Sequence, residues 1–331
     1  MTAFLDFEKP LAEVHKRLEA LEKQAAGHPR PEQEAERLQL LDELQRLRAE
    51  IYGTLQPWQK VQVARHAQRP QTLDYAKAVF TDFVEFHGDR AYADDGAIVG
   101  GPARLNGRVV MLVGHQRGKG TKESVARNFG QPHPEGYRKA LRLFRQAEKF
   151  GMPLVTLLDT PAASASLPDE ERGQAWALAE NIATMAELRV PIVSVIIGQG
   201  GSGGALALGV ADRLLMLEHS IYSVAPPETV ANILYKDPKL APEVAAAVKV
   251  TAQDLLELGV IDGIIPEPPG GAHADPATTA EALRAALLDE LDRLCARPIE
   301  HLLADRFARY RRVGTYQEPA SLREGARVPG R

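Results

Sequence analysis

Residues 198–210 read GQGGSGGALALGV, and the first seven of these positions hold five glycines. Two chemistries use such a stretch. In one, Gly200-Gly201-Ser202-Gly203-Gly204 is the G-x-S-x-G elbow of a serine hydrolase, with Ser202 as nucleophile. Asp262 and His273 follow in the chain order that a triad on this elbow needs. In the other, the serine does no chemistry and bare backbone N–H groups grip an oxygen that gains negative charge. The apolar run before Gly198 predicts a buried strand, and after the glycines the chain is expected to enter a helix at about Ser202 that continues over 205–210. The N–H groups at such a helix start have no intrahelical acceptor. They also sit at the positive end of the helix dipole. Glycines let the backbone approach a ligand closely and take positive φ. The hydrolase needs a second donor from an upstream HGGG-type loop, and the sequence has none. The flanking glycine doublets also exceed what an elbow requires, so the amide reading is the stronger one.

A second polar cluster, GHQRGKGTKE at 114–123, follows the apolar run VVMLVGH. Its cations are Arg117, Lys119 and Lys122. Three cations among three glycines suit a phosphate-bearing or carboxylate-bearing ligand, or form a solvated turn. Arg127, Asn128, Arg138 and Lys139 extend the basic character. GKGTK lacks the upstream glycine of a Walker A loop, and GQGGSGG is not followed by the acidic strand end of a dinucleotide site.

Positioning these loops requires strands that end at them. Apolar runs at 109–114, 153–158 and 191–197 read as strands, the second ending in Asp159 and the third in the glycine loop. Helical stretches at 134–150 and 170–188 separate them, and 213–224 returns as strand. This alternation predicts an α/β core with parallel crossovers. Further helices are expected over 241–258 and 278–297. The first 55 or so residues differ. Leu11, Val14, Leu18 and Leu21, then Leu40, Leu44, Leu47 and Ile51, recur at three- and four-residue steps around the breaker GHPRP. That is a helical hairpin, packed either on its own domain or on a partner. A basic linker (Arg65, His66, Arg69, Pro70) joins it to the rest, and the last 15 or so residues read as a frayed tail.

The bulk numbers narrow the class. The chain has 331 residues, 44% hydrophobic and 25% charged, with a net charge of −4, so no nucleic-acid partner is expected. The single cysteine, Cys295, excludes an internal disulfide and a Cys-rich metal site, and reads as a buried structural thiol. No apolar run is long enough to span a bilayer. The opening MTAFLDFEKP is unlike a signal peptide. A cytoplasmic enzyme or enzyme subunit is expected.

Taken together, LDFEKP, GDRAYADD…AIVGG, GHQRGKGTKE, RNFGQPHPEGYRKALRL, EERGQ, GQGGSGGALALGV and IDGIIPEPPGGAH resemble the alpha subunit of bacterial acetyl-CoA carboxylase carboxyltransferase. The resemblance spans about residues 4 to 290. It implies a crotonase-like α/β fold, a superhelix of ββα units, with the helical hairpin over 1–58, the carboxyltransferase domain over 59–300 and a tail over 301–331. It implies a beta subunit carrying a zinc ribbon, an α2β2 assembly, a biotin carboxyl carrier protein and a separate biotin carboxylase that uses ATP. The activity it implies is transfer of a carboxyl group from carboxybiotin to acetyl-CoA, giving malonyl-CoA for fatty-acid synthesis. Gly203 and Gly204, with Ala205 as a further donor, would stabilise the charge on the biotin side. Gly200 and Gly201 would shape the turn, and Ala162, Ala163, Lys119 and Lys122 would lie at the substrate or biotin. No metal is implied in this chain.

Three departures cluster on that site. The family's D-T-P-G-A-Y-P-G reads Asp159-Thr160-Pro161-Ala162-Ala163-Ser164-Ala165-Ser166 here, and alanine in a turn that needs positive φ would be strained by ~1 kcal/mol or more. G-E-G-G reads Gly198-Gln199-Gly200-Gly201. S-V-I-S-P-E-G reads Ser223-Val224-Ala225-Pro226-Pro227-Glu228-Thr229. A weakened paralogue with an assembly or regulatory role is therefore the second expectation, and a hydrolase using Ser202 the third.

Overall fold

The protein is described from a computed structural model covering residues 4–25 and 30–314. Among the described residues, seven strands form its sheet: β1 (Ile98–Leu105), β2 (Arg108–His115), β3 (Leu154–Thr160), β4 (Ile192–Gly201), β5 (Arg213–Leu217), β6 (Ile221–Ser223) and β7 (Gly263–Ile265). The order is β1-β2-β3-β4-β5-β7, with β6 paired to the far end of β4. Only β1 and β2 are antiparallel, a hairpin turned at Asn106 and Gly107, both at positive φ. Every later pairing is parallel. Successive strands add on one side without reversal, so the chain winds as a spiral. A dinucleotide-binding sheet instead reverses its order at a switch point.

Period-two alternation sorts the strand residues between two cores. On β4, Ile192 and Ile196 face one side, while Val193, Val195 and Ile197 face the other. The first core is closed by helices Pro134–Lys149 and Gln174–Glu187. The second is closed by Thr72–Val79 and Pro276–Cys295. Thr156 and Ser194 are buried hydroxyls on facing strands. They bond each other at 2.6 Å, and Thr156 donates to the Leu208 carbonyl at 2.7 Å, so neither leaves a polar atom unsatisfied.

Helices Lys9–Ala25 and Pro31–Gly53 form the expected hairpin, burying Leu11, Val14, Leu18 and Leu21 against Leu40 and Leu44. Its base rests on its own domain. Tyr52 donates to Glu8 at 2.7 Å, and its ring meets His219 edge-on at 5.5 Å.

Several boundaries differ from the sequence reading. Residue 58 falls inside helix Pro57–Ala64, and the segment read as a basic linker is a buried strut. Arg69 is fully buried, donating to the Ile197 carbonyl at 2.7 Å and to both oxygens of Glu267 at 2.5 and 2.9 Å. Helix Ile299–Arg311 crosses residue 300 and packs on the domain through Arg306. Its apolar side is thin, so periodicity hid it, and an internal arginine anchors it. The helix expected over 170–188 is two, Leu167–Glu171 and Gln174–Glu187, broken at Gly173 with φ +81°. The stretch 241–258 is also two helices, and 213–224 is two strands. Cys295 is exposed rather than buried. The stretch read as frayed lies outside the described residues.

Candidate active site

β2, β3 and β4 are parallel and end on the same edge of the sheet, at His115, Thr160 and Gly201. The candidate site lies there. β4 runs further than expected, through Gln199 to Gly201, because β6 pairs with its glycines. Ser202 then turns the chain at φ +55° into a helix that stops at Leu206. The helix begins at Ser202 as expected but ends at Leu206 instead of continuing to Val210, so its dipole is weak. What remains is local: the N–H groups of Ser202, Gly203, Gly204 and Ala205 all lie within its first turn.

Each glycine here meets a different neighbour. A β-carbon on Gly201 would overlap the Pro161 carbonyl oxygen, and one on Gly198 would overlap the Asp159 carboxylate. On Gly200 it would stand 2.7 Å from the Tyr222 ring. On Gly204 it would lie 2.5 Å from the Ala163 nitrogen and 2.8 Å from the Ala162 carbonyl carbon. Gly203 alone of these is open, with Leu178 Cδ1 at 3.7 Å. Gly198, Gly200, Gly201 and Gly204 therefore permit close packing of loops, and Gly203 faces free space.

That space is a cavity of about 560 Å³. Ser202 and Gly203 form one end, and Tyr222, Val224, Val230, Leu255 and Val260 line its apolar walls. The pair Ala162-Ala163 abuts Gly204 from behind, and Ala205 is buried. Structure thus brings together Gly200, Gly201, Gly203, Gly204, Ala205, Ala162 and Ala163. Lys119 and Lys122 are exposed and stand outside this cavity. Lys119 pairs with Asp74 at 2.8 Å.

Beneath the glycine loop lies a layer that sequence reasoning missed. Asp159 is fully buried; its Oδ1 accepts from the Gln199 amide at 3.0 Å, and Arg117 Nε lies 2.8 Å from Oδ2. The basic loop is thereby tied to the base of the glycine turn. Burial pushes the His115 imidazole down to about 3, against the pull of the Gly204 and Leu157 backbones, so His115 stays neutral. Arg65 donates to the Gln199 side chain at 2.9 Å and to Glu228 at 2.5 and 3.1 Å. Two of the departures, Gln199 and the 225–229 segment, therefore meet on one arginine. The amide at 199 leaves Arg65 with a single carboxylate, so its charge is balanced one to one. The clue in sequence was the isolated cation Arg65, but only the fold puts it beside residues 134 and 163 positions away.

The third departure carries its own bonds. None of residues 162–166 has positive φ, so the strain expected of alanine there is absent. Ser164 and Ser166 hydroxyls donate to Asp169 at 2.5 and 2.6 Å, and His133 Nδ1 lies 2.7 Å from the same carboxylate. Burial pushes Asp169 up, but these hydrogen bonds outweigh it and hold it at about 2, against 3.8 unperturbed. A depressed carboxylate stabilises the fold above its unfolded pKa, and that stability is lost as pH falls through the folded one. The protein should lose stability between about pH 4 and pH 2, and Asp169→Asn should flatten this slope in acid unfolding followed by circular dichroism.

A hydrolytic triad is not assembled. Asp262 is held by Arg309 at 2.9–3.2 Å and accepts from the Leu214 amide at 2.7 Å. His273 is stacked on His66 at 3.8 Å and lines a different cavity from Ser202. Among the described residues, no group of three or more His, Cys, Asp or Glu could hold a metal ion, and no helix is long and apolar enough to cross a membrane.

The spiral sheet defines an α/β fold of the crotonase type, which solved structures share. Transcarboxylase 12S with methylmalonyl-coenzyme A and methylmalonic acid bound superposes with a TM-score of 0.56 at 21% identity, over 72% of this chain and 45% of that one. A Pseudomonas malonate decarboxylase hetero-tetramer in complex with coenzyme A gives 0.55 at 21%, over 70% and 92%. Sequence comparison goes further. The acetyl co-enzyme A carboxylase carboxyltransferase-like family model matches residues 4–314, and the chain belongs to that family. It is 53% identical over 312 residues to the acetyl-coenzyme A carboxylase carboxyl transferase subunit alpha of Heliobacterium modesticaldum, covering 94% of this chain and 93% of that one. Its identity to a subunit alpha of Thermus thermophilus is 52%, covering 95% and 99%.

Proposed function

We propose that this chain is the alpha subunit of an acetyl-CoA carboxylase carboxyltransferase, acting in the cytoplasm. It moves a carboxyl group from carboxybiotin on a carrier protein to acetyl-CoA, giving malonyl-CoA for fatty-acid synthesis. The observation that carries this reading is the open face of Gly203 at the end of an apolar cavity. Bound carboxybiotin supplies the carboxyl group, and an apolar slot ending in backbone donors suits a ring with a polar carbonyl. The N–H groups of Gly203 and Gly204, with Ala205 as reserve, donate to the oxygen on which charge grows. Removing one such donor costs roughly 3 kcal/mol of activation energy in comparable sites. The apolar walls exclude water, which strengthens those bonds. Gly200 and Gly201 hold the turn against Tyr222 and Pro161, and Ala162-Ala163 buttresses it. Lys119 and Lys122, exposed outside the cavity, meet anionic groups of the carrier or substrate.

The partners in this reading are a beta subunit with a zinc ribbon in an α2β2 assembly, the biotin carrier, and a biotin carboxylase that consumes ATP. The hydrogen-bonded loop at 162–166, free of backbone strain, supports an active enzyme over a weakened paralogue. The test is malonyl-CoA formation by this chain with its beta subunit, biotin-loaded carrier and acetyl-CoA. Turnover is the expected result; a stable complex without turnover would favour the paralogue. Ser202→Ala should keep most of that turnover, since the amides do the work. Near-complete loss of activity in this variant, with the complex intact, would return Ser202 to the chemistry.

A further inference from the structure

Three stretches that carry the family resemblance play no part in the site above: the opening LDFEKP, the hairpin, and PEPPGGAH. They converge on one cavity of about 250 Å³. Phe4, Leu11 and Ala274 give it apolar walls, and Glu8, His15, Arg48 and His273 give it polar ones. The double glycine makes this meeting possible. Gly270 and Gly271 have φ +98° and +79°, and a β-carbon on Gly270 would stand 3.4 Å from Arg48 Cδ.

The polar groups are unequally satisfied. Glu8 is spent on the Tyr52 hydroxyl and the Leu5 amide, both at 2.7 Å. Arg48 has no hydrogen bond or ion pair among the described residues. His15 Nδ1 and His273 Nδ1 are buried without a partner. Both rings are held in place, His15 by the edge of Phe4 at 5.5 Å and His273 by its stack on His66 at 3.8 Å. A guanidinium with no ion pair among the described residues and two fixed imidazoles whose unpaired Nδ1 can donate in one neutral tautomer, set beside apolar walls, form a receptor for an oxyanion.

We propose that this cavity between hairpin and domain is a binding site for a small organic anion, with a carboxylate or phosphate head on Arg48 and the imidazoles. A short alkyl group would lie on Phe4 and Leu11. It is separate from the carboxyl-transfer site, with which it shares no lining residue. Occupancy ties the hairpin to the PPGGAH turn, so the ligand stabilises that joint.

The test is isothermal titration and thermal unfolding of the full chain with butanoate and, separately, inorganic phosphate. Saturable binding of either, with a raised melting temperature, is expected, and the stronger of the two identifies the head group. Arg48→Ala should weaken binding about tenfold or more, and Arg48→Lys should lie between, because it keeps the charge and loses the fork. Arg48 has no hydrogen bond or ion pair among the described residues, so both variants should fold, as circular dichroism will check. His273→Gln, another lining residue of this cavity, should also weaken binding. Ser202→Ala, in the other cavity, should bind the anion unchanged. The absence of saturable binding by either anion, or undiminished binding in Arg48→Ala, overturns the proposal.

Discussion

Gly201→Ala should destabilise the chain by about 3 kcal/mol or more, whereas Gly203→Ala should leave its stability within about 0.5 kcal/mol and lower turnover about tenfold or more. The two positions lie close together in sequence, with only Ser202 between them. At Gly201 the new methyl group would occupy the place of the Pro161 carbonyl oxygen, which is backbone and cannot swing aside. Strands β3 and β4 pair here, with Thr160 opposite Gly200, so relief requires parting that ladder. At Gly203 the methyl group meets only Leu178 at 3.7 Å, an ordinary contact, and projects into the cavity wall where a ligand oxygen would approach. Urea unfolding of the isolated chain reads the first effect. Malonyl-CoA formation in the reconstituted complex reads the second. A stable, fully active Gly203→Ala variant would mean that the open face of this turn is not where the reaction occurs.

Arg306→Met should cost about 3–5 kcal/mol, the range for removing one member of a buried ion pair. Arg306 is buried and uses all of its fork. It meets Asp212 at 2.8 and 2.9 Å, and donates to the carbonyls of Met185 and Leu188 through one nitrogen and of Val190 through another. Those carbonyls belong to the end of helix Gln174–Glu187 and the turn that follows, which lead into β4. Asp212 in turn accepts from the Ile192 amide at 2.7 Å, at the first residue of β4. The variant leaves Asp212 charged in a buried place and three carbonyls without their donor. Adding Asp212→Asn should recover part of the loss, because the unpaired charge goes while the bond to Ile192 can remain. A full recovery would show that the carbonyl contacts contribute nothing. Equal stability of Arg306→Met and the unaltered chain would show that helix Ile299–Arg311 is dispensable to the domain.

The two variants probe different kinds of legibility. The glycines at 198–204 announced themselves by composition, since a run of bare backbone has few uses, and the family resemblance tied them to carboxyl transfer. The sheet was legible for a similar reason. Strands buried on both faces must be continuously apolar, so the β3 and β4 regions stood out, and only their ends were misplaced. β4 extends to Gly201 because β6, from a later stretch of the chain, supplies the pairing. No local pattern carries that information.

Sequence by itself determined the α/β class, the glycine turn as the candidate site, the hairpin and the family. These follow from periodicity, backbone freedom and motif, all properties of neighbours along the chain. Tertiary structure decided which glycines are structural and which one is open, because that depends on Pro161, Ala163 and Tyr222 arriving from other strands and loops. It also turned a supposed basic linker into a buried strut, since Arg69 finds Glu267 only 198 positions away. Charge reads as solvent-exposed along a chain, and only a partner brought in by folding lets it go inside.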